Sequence, residues 1–232
     1  MSEQKKRLLV VAPHPDDEIL GAGGVMARFA RAGGEVTVLT VAAHMPPLYP
    51  AEVHRLTVEE ARRAHAIVGV ARSVFLDRPA VLLGEIPLPE FNSAICAVIE
   101  ETRPHVLLIP FPDRHVDHRM VFEAAMVAAR PVRAGREIGV VAAYETLSET
   151  HWNAPYVEPN FTPNWCVDIS DVLAAKIDAM RCYQSQLVPF PGPRSVEALE
   201  ALALFRGSQA GLRHAEAFCI LRMTVAPEQL LV

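Results

Sequence analysis

From residue 7 to residue 129, short apolar runs alternate with stretches of helical periodicity, and this restricts the fold more than any other feature of the chain. Residues 7–12 (RLLVVA) are apolar without a break from Leu8 onward, the pattern of a buried strand in a parallel sheet. Residues 19–32 read as a helix that stops at Gly33-Gly34, a pair suited to a helix C-terminus. A second strand is expected at 35–41, then a loop over 42–56 marked by Pro46, Pro47 and Pro50. An amphipathic helix at 58–68 closes at Gly69, followed by a strand at 72–76, a helix at 89–102 and a strand, HVLLI, at 105–109. Pro110-Phe111-Pro112-Asp113 breaks the chain before a helix over 118–129. Such alternation predicts an α/β fold, a doubly wound and mainly parallel sheet with helices on both faces and right-handed crossovers.

Beyond residue 138 the pattern loosens into a strand near 139–145, a polar and aromatic loop at 149–163, a strand at 165–168, helices at 171–184 and 195–206, and a last strand at 216–223. There is no internal repeat or flexible linker. Residues 1–232 therefore read as a single domain whose last third is a C-terminal extension over the sheet edge, shaping the site. With 51% hydrophobic and 21% charged residues the chain has enough apolar material for a real core.

Charge and targeting signals exclude several function classes. The formal net charge is −5, and the densest basic stretch, Lys5-Lys6-Arg7, is only the entry to a strand, so no nucleic-acid partner is expected. The apolar run Leu8 to Ala12 is too short for the core of a signal peptide, and no stretch approaches a membrane span. Cys96, Cys166, Cys182 and Cys219 form no CxxC pair and read as free thiols in a reducing compartment. A cytoplasmic location is the expectation.

Two clusters carry chemistry. Pro13-His14-Pro15-Asp16-Asp17-Glu18 follows the first strand directly and opens a helix, the place where open α/β sheets bind ligands. Imidazole nitrogen and carboxylate oxygen are the donors of a hard or borderline metal. His14 and Asp17, three residues apart across a turn, can converge on one point, while Asp16 between them points elsewhere. That suggests one carboxylate binding metal and the other acting as a base on water. Asp113-Arg114-His115-Val116-Asp117-His118 likewise follows a strand and opens a helix, at the same sheet edge if the strands are parallel. His118 completes a His/Asp/His triad with an open position for water, as catalytic zinc sites require. His115 is a second imidazole nearby, and Asp117 is a candidate to orient it. Read alone, either cluster could be a capped helix start or a solvated loop. Two of them at strand ends in one domain weaken that reading.

Gly21, Gly23 and Gly24 begin nine residues after the first strand, inside a helical pattern, where a dinucleotide loop would not place them. They are expected to permit close helix–sheet packing. His44, His54, His65 and His105 read as surface or packing residues.

The paired motifs, His14-Pro-Asp-Asp-Glu and His115-x-Asp-His118, resemble those of the PIG-L/LmbE-like superfamily of de-N-acetylases. The likeness extends to Glu59-Glu60-Ala61, to Pro163-Asn164-Trp165-Cys166-Val167-Asp168-Ile169-Ser170, and to the Tyr183-Gln184-Ser185-Gln186 and Ala215-Glu216-Ala217-Phe218 segments. It implies a Rossmann-like sheet, zinc (ferrous iron as the alternative) on His14, Asp17 and His118, and Asp16 as general base. It further implies His115 as a protonated imidazole that stabilises the oxyanion or protonates the amine, with Asp117 as its partner. His214 stands where relatives carry a substrate-facing Tyr, and Arg55 is the nearest match to their recognition Arg. Val116 replaces the usual Pro, and Ala42-Ala43-His44 the usual polar pair. The implied substrate is a small N-acetylated amino sugar or its conjugate. His151, Trp152, Asn153, Tyr156 and Phe161 offer either faces for a sugar ring or packing for an irregular loop. Homo-oligomers occur in the family.

Two other readings stay open. A zinc-dependent hydratase of an unsaturated dicarboxylic acid would need cations such as Arg55, Arg114, Arg119 or Arg206 near the metal. A non-catalytic metal-binding protein would need neither Asp16 nor His115.

Overall fold

A computed structural model describes residues 5–224; residues 1–4 and 225–232, included in the single-domain reading, lie outside the described residues. The strands are β1 (Arg7–Ala12), β2 (Glu35–Ala43), β3 (Arg72–Pro79), β4 (Val106–Pro110), β5 (Val140–Tyr144), β6 (Trp165–Asp168) and β7 (Ala215–Met223). The α-helices are α1 (Asp17–Arg31), α2 (Ala51–Ile67), α3 (Leu88–Thr102), α4 (Val116–Ala128), α5 (Leu173–Met180) and α6 (Val196–Ala210). The strands form one sheet in the order β3-β2-β1-β4-β5-β7-β6. β1 to β5 pair in parallel, whereas β7 runs antiparallel to both β5 and β6. The α/β, mainly parallel expectation holds.

Alternate residues of the central strands serve two cores. Leu8, Val10, Val36, Val38 and Leu108 face one, where α1, α2, α5 and α6 pack. Leu9, Val11, Leu39, Leu107 and Ile109 face the other, covered by α3 and α4. Helices on both faces explain why these strands are apolar at nearly every position. The order reverses between β1 and β4, which pair directly, so their carboxyl ends flank the switch point where such sheets bind ligands.

The glycines of α1 serve packing. A β-carbon on Gly21 would collide with the ring edge of Tyr144, and one on Gly24 would come within 2.6 Å of Ile169 Cγ2. Tyr144 is fully buried and its hydroxyl donates to Val11 O at 2.8 Å, tying β5 to the end of β1. Two elements differ from expectation. α2 begins at Ala51, because Pro50, which cannot sit inside a helix, starts this one as its N-cap. α5 ends at Met180, ahead of the turn where Tyr183 goes inward to place its hydroxyl on the buried Glu18. Among the described residues no helix is long and apolar enough to cross a membrane.

Candidate active site

The turn after β1 is held by its own groups. Asp17 Oδ2 accepts the backbone N–H of His14 at 2.9 Å, and Ala42 N–H reaches back to Pro13 O at 2.7 Å. Asp16 sits at φ 111°, a left-handed conformation that a non-glycine residue adopts only under constraint. Its N–H goes to Glu18 Oε2. The second turn is braced in the same manner: Asp113 Oδ1 accepts His115 N–H at 3.0 Å, and His115 Nδ1 accepts Asp117 N–H at 3.2 Å as the cap of α4.

Across the switch point the two turns interlock. His14 Nε2 donates to Asp117 Oδ2 at 2.8 Å, and His118 Nδ1 to Asp113 Oδ2 at 3.0 Å; Thr150 Oγ1 also donates to that Asp113 oxygen. Each imidazole thus has one nitrogen fixed by a carboxylate. The other nitrogens converge on Asp17 Oδ2, His14 Nδ1 at 3.2 Å and His118 Nε2 at 3.3 Å. His118 Nε2 is buried and lacks a hydrogen-bond partner. Two carboxylate-backed imidazoles and a carboxylate are the donor set of a divalent metal site, so the residues fit the group that the sequence implies. His115 stands beside them, its ring centroid 4.6 Å from that of His14 and 5.1 Å from that of His118. Nitrogens of His14, His115 and His118 lie within 4.8 Å of one another. Because His115 Nδ1 already accepts a hydrogen bond, neutral His115 carries its proton on Nε2.

The electrostatics follow from burial and pairing. Burial works against a charged His14, but bonds to Asp117 and Asp17 outweigh it and raise its pKa to about 9. Burial is likewise overcome at His118, where Asp17 and Asp113 raise the pKa to about 10. Asp17 is buried too, yet the charge on His118 holds its carboxyl well below the usual range. Asp16 goes the other way: burial, then the charge of Asp17, push it well above the usual range. Burial and the cationic His14 and His118 lower His115 to about 4. The expected protonated His115 is therefore not the resting form of the metal-free protein.

A cavity of about 490 Å³ opens above the cluster, a size suited to a small molecule. His14, Asp16 and His115 lie on its floor. Tyr49, Val53, Leu56 and Val81 line it together with Ser148, Glu149, Ser185, Gln186 and Arg194.

Several expectations need correction. The carboxylate of Asp117 serves His14 and accepts Val81 N–H at 2.7 Å; it does not orient His115, which meets only its backbone. Arg55 faces a different surface pocket, beside His54 and Asp77, because its position on α2 turns it off the cavity side. His214 is held by Ser170 between β6 and β7, next to the Asp168 that pairs with Arg28 late in α1, and lines no part of the cavity. The aromatic loop contributes no sugar platform to that cavity: Phe161 packs on Phe111 and under Arg206, and Tyr156 is 99% exposed. His44, read as a packing residue, instead lines the cavity and stacks on His14 at 6.1 Å. Sequence reasoning gave no role to Asp113, though it stands inside the second motif. It had no signal for Arg194, which lies 3.8 Å from Asp16 Oδ2 and donates to Gln186 Oε1 at 3.0 Å.

The family model described as PIG-L, GlcNAc-PI de-N-acetylase, matches residues 9–129, which span both motifs. The chain belongs to the PIG-L family. A diacetylchitobiose deacetylase from Thermococcus kodakarensis is 30% identical over 91% of this chain and 81% of its own length. A 1D-myo-inositol 2-acetamido-2-deoxy-alpha-D-glucopyranoside deacetylase from Rhodococcus erythropolis is 29% identical over 82% of this chain and 84% of its own. The crystal structure of a 4-carboxy-2-hydroxymuconate hydratase from Pseudomonas putida KT2440 superposes with a TM-score of 0.77 over 95% of this chain and 98% of its own, at 21% identity. That last likeness is one of fold. The cations named for a hydratase are engaged elsewhere: Arg206 pairs with Glu145, Arg114 reaches Trp152 O, Arg119 reaches Asp113 O, and none of them lines the cavity. The family's chemistry, N-deacetylation by amide hydrolysis, is that of this chain.

Proposed function

We propose that this chain is a zinc-dependent deacetylase of a small N-acetylated amino sugar or its conjugate, with His14, Asp17 and His118 holding the metal, Asp16 as general base and His115 as oxyanion donor. The observation that carries this reading is the pair of carboxylate-backed imidazoles facing Asp17, with Asp16 beside them on the cavity floor and its Oδ2 free of any hydrogen bond. Both named relatives act on an N-acetylated glucosamine unit.

His14, Asp17 and His118 would hold a divalent ion, which would supply polarisation of an amide carbonyl and a lowered pKa of water. Asp16 takes the proton of the attacking water, for which its raised pKa and unbonded oxygen suit it. His115, neutral with Nε2–H toward the cavity, donates to the carbonyl oxygen as charge grows there. The proton on Asp16 then passes to the departing nitrogen, the C–N bond breaks, and acetate and the free amine leave. Zinc suits the mixed nitrogen and oxygen donors, and ferrous iron is separated from it by metal analysis. We place the enzyme in the cytoplasm, in keeping with its four free cysteines.

The test is metal content together with acetate release from a panel of N-acetylated amino sugars, before and after chelation. One zinc per chain and chelator-sensitive acetate release are expected. Bound metal with water addition to an enoate and no acetate from any sugar would overturn the deacetylase reading.

A further inference from the structure

Val81 is out of place by every local criterion. It adopts φ 68°, a region that β-branched side chains avoid. Its backbone has a clear task, since its N–H holds Asp117 Oδ2 at 2.7 Å and so helps to fix His14. A glycine would perform that task without strain. What glycine would lack is the side chain, which is 47% exposed on the cavity wall.

That side chain is not isolated. Tyr49 and, from successive turns of α2, Val53 and Leu56 line the same cavity, with Leu56 43% exposed. Val53 and Leu56 are three residues apart and so share a helix face. The same cavity presents polar groups from Ser148, Glu149, Ser185, Gln186 and Arg194, with Ser185 bonded to Glu60 one turn along α2 from Leu56. An acetyl group has one methyl to offer, and four apolar side chains are far more than one methyl can cover. The polar groups match sugar hydroxyls.

We propose that Val81, Leu56, Val53 and Tyr49 form a subsite for an apolar aglycone, so that the preferred substrate is an N-acetylamino sugar carrying an aryl or alkyl substituent. The reading rests on the deacetylase function above and narrows its substrate class. Val81 is then a specificity residue: the backbone strain is kept because the side chain is needed.

The experiment compares acetate release by the zinc-loaded chain from N-acetylglucosamine and from its 4-nitrophenyl β-glycoside, with binding of the two corresponding amines measured by calorimetry. The glycoside should exceed the free sugar in kcat/KM by about tenfold or more, the scale of discrimination that apolar contacts give. Val81→Gly and Leu56→Ala should each collapse that ratio by about fivefold, while Val81→Gly melts no lower than wild type because strain is relieved. Leu56 is already half exposed, so its truncation keeps the comparison available whatever Val81→Gly does to folding. A ratio near one in the wild type, or a ratio untouched by both substitutions, overturns the proposal. Faster cleavage of N-hexanoylglucosamine than of the acetyl sugar also overturns it, by putting the acyl chain on the wall. Absence of acetate with tighter, Val81-dependent binding of the aryl amine would sink the deacetylase reading and leave the subsite standing.

Discussion

Every group on the cavity floor comes from two runs of six residues, 13–18 and 113–118, whereas the rim draws on four separate stretches at 44–56, 80–81, 148–149 and 185–194. Most of the floor is buried and cross-braced by neighbours from the same two turns, with Asp16 Oδ2 left without a hydrogen bond. Most of the rim is partly exposed, and its bonds, such as those of Ser185 to Glu60 and of Arg194 to Gln186, run to groups outside the two motif turns. Chemistry here is compact in sequence, and selectivity is assembled by the fold. The two should therefore answer differently to substitution.

The largest effect belongs to the floor. Asp16→Asn should lower kcat by about 10²–10⁴-fold with metal content unchanged, read from steady-state acetate release and elemental analysis. Next come the carboxylates behind the ligands: Asp117→Asn or Asp113→Asn should weaken metal binding by about 10–100-fold in a chelator competition. The same bracing ties metal uptake to protons. Both His14, at about 9, and His118, at about 10, are raised above the ordinary histidine value and hold protons at neutral pH. Those protons must leave when metal binds, so calorimetry in buffers of different ionisation enthalpy should show proton release, and affinity should rise with pH. Raised values also mean that the stability these groups give the metal-free fold is fully present below about 6.5 and is lost as pH climbs from there through 9 to 10. A melting series of apo protein that rises over that interval would contradict the pairing.

Smaller still is Gly21→Ala, which sets a methyl against Tyr144 and should cost about 1–3 kcal/mol of stability, seen as a lower Tm, with no change in the ranking of substrates. At the bottom of the scale, Arg55→Ala and His214→Ala should leave kcat/KM within about twofold of wild type, since neither residue lines the cavity. A tenfold loss from either would mean that the cavity extends beyond its present walls.

The same contrast explains what could be read in advance. Apolar runs such as LLVVA and HVLLI announce parallel strands, and the side chains proposed for the chemistry stand within eight residues of a strand end, so spacing points to them. Asp113 was in plain view, yet its task of backing His118 depends on a χ direction that spacing does not carry. Arg194 follows a stretch of Pro189, Pro191 and Pro193 with no motif around it, and only the packing of the segment after α5 brings it to Asp16. His214 and Arg55 rest on a resemblance of short segments outside the two motifs, and neither lines the cavity. Val81 could not have been singled out at all, because positive φ at a valine has no sequence signature.

The ring of Tyr144 touches α1 at Gly21, and its hydroxyl holds the carbonyl of Val11, three residues before His14. One rigid side chain from β5 therefore serves as a common datum for the strand that ends in His14 and the helix that starts at Asp17. Loops around the rim can lengthen, shorten or change composition without altering the distance between those two groups. A chain built this way can acquire new substrates while keeping its reaction, which makes the rim, rather than the floor, the place to redesign it.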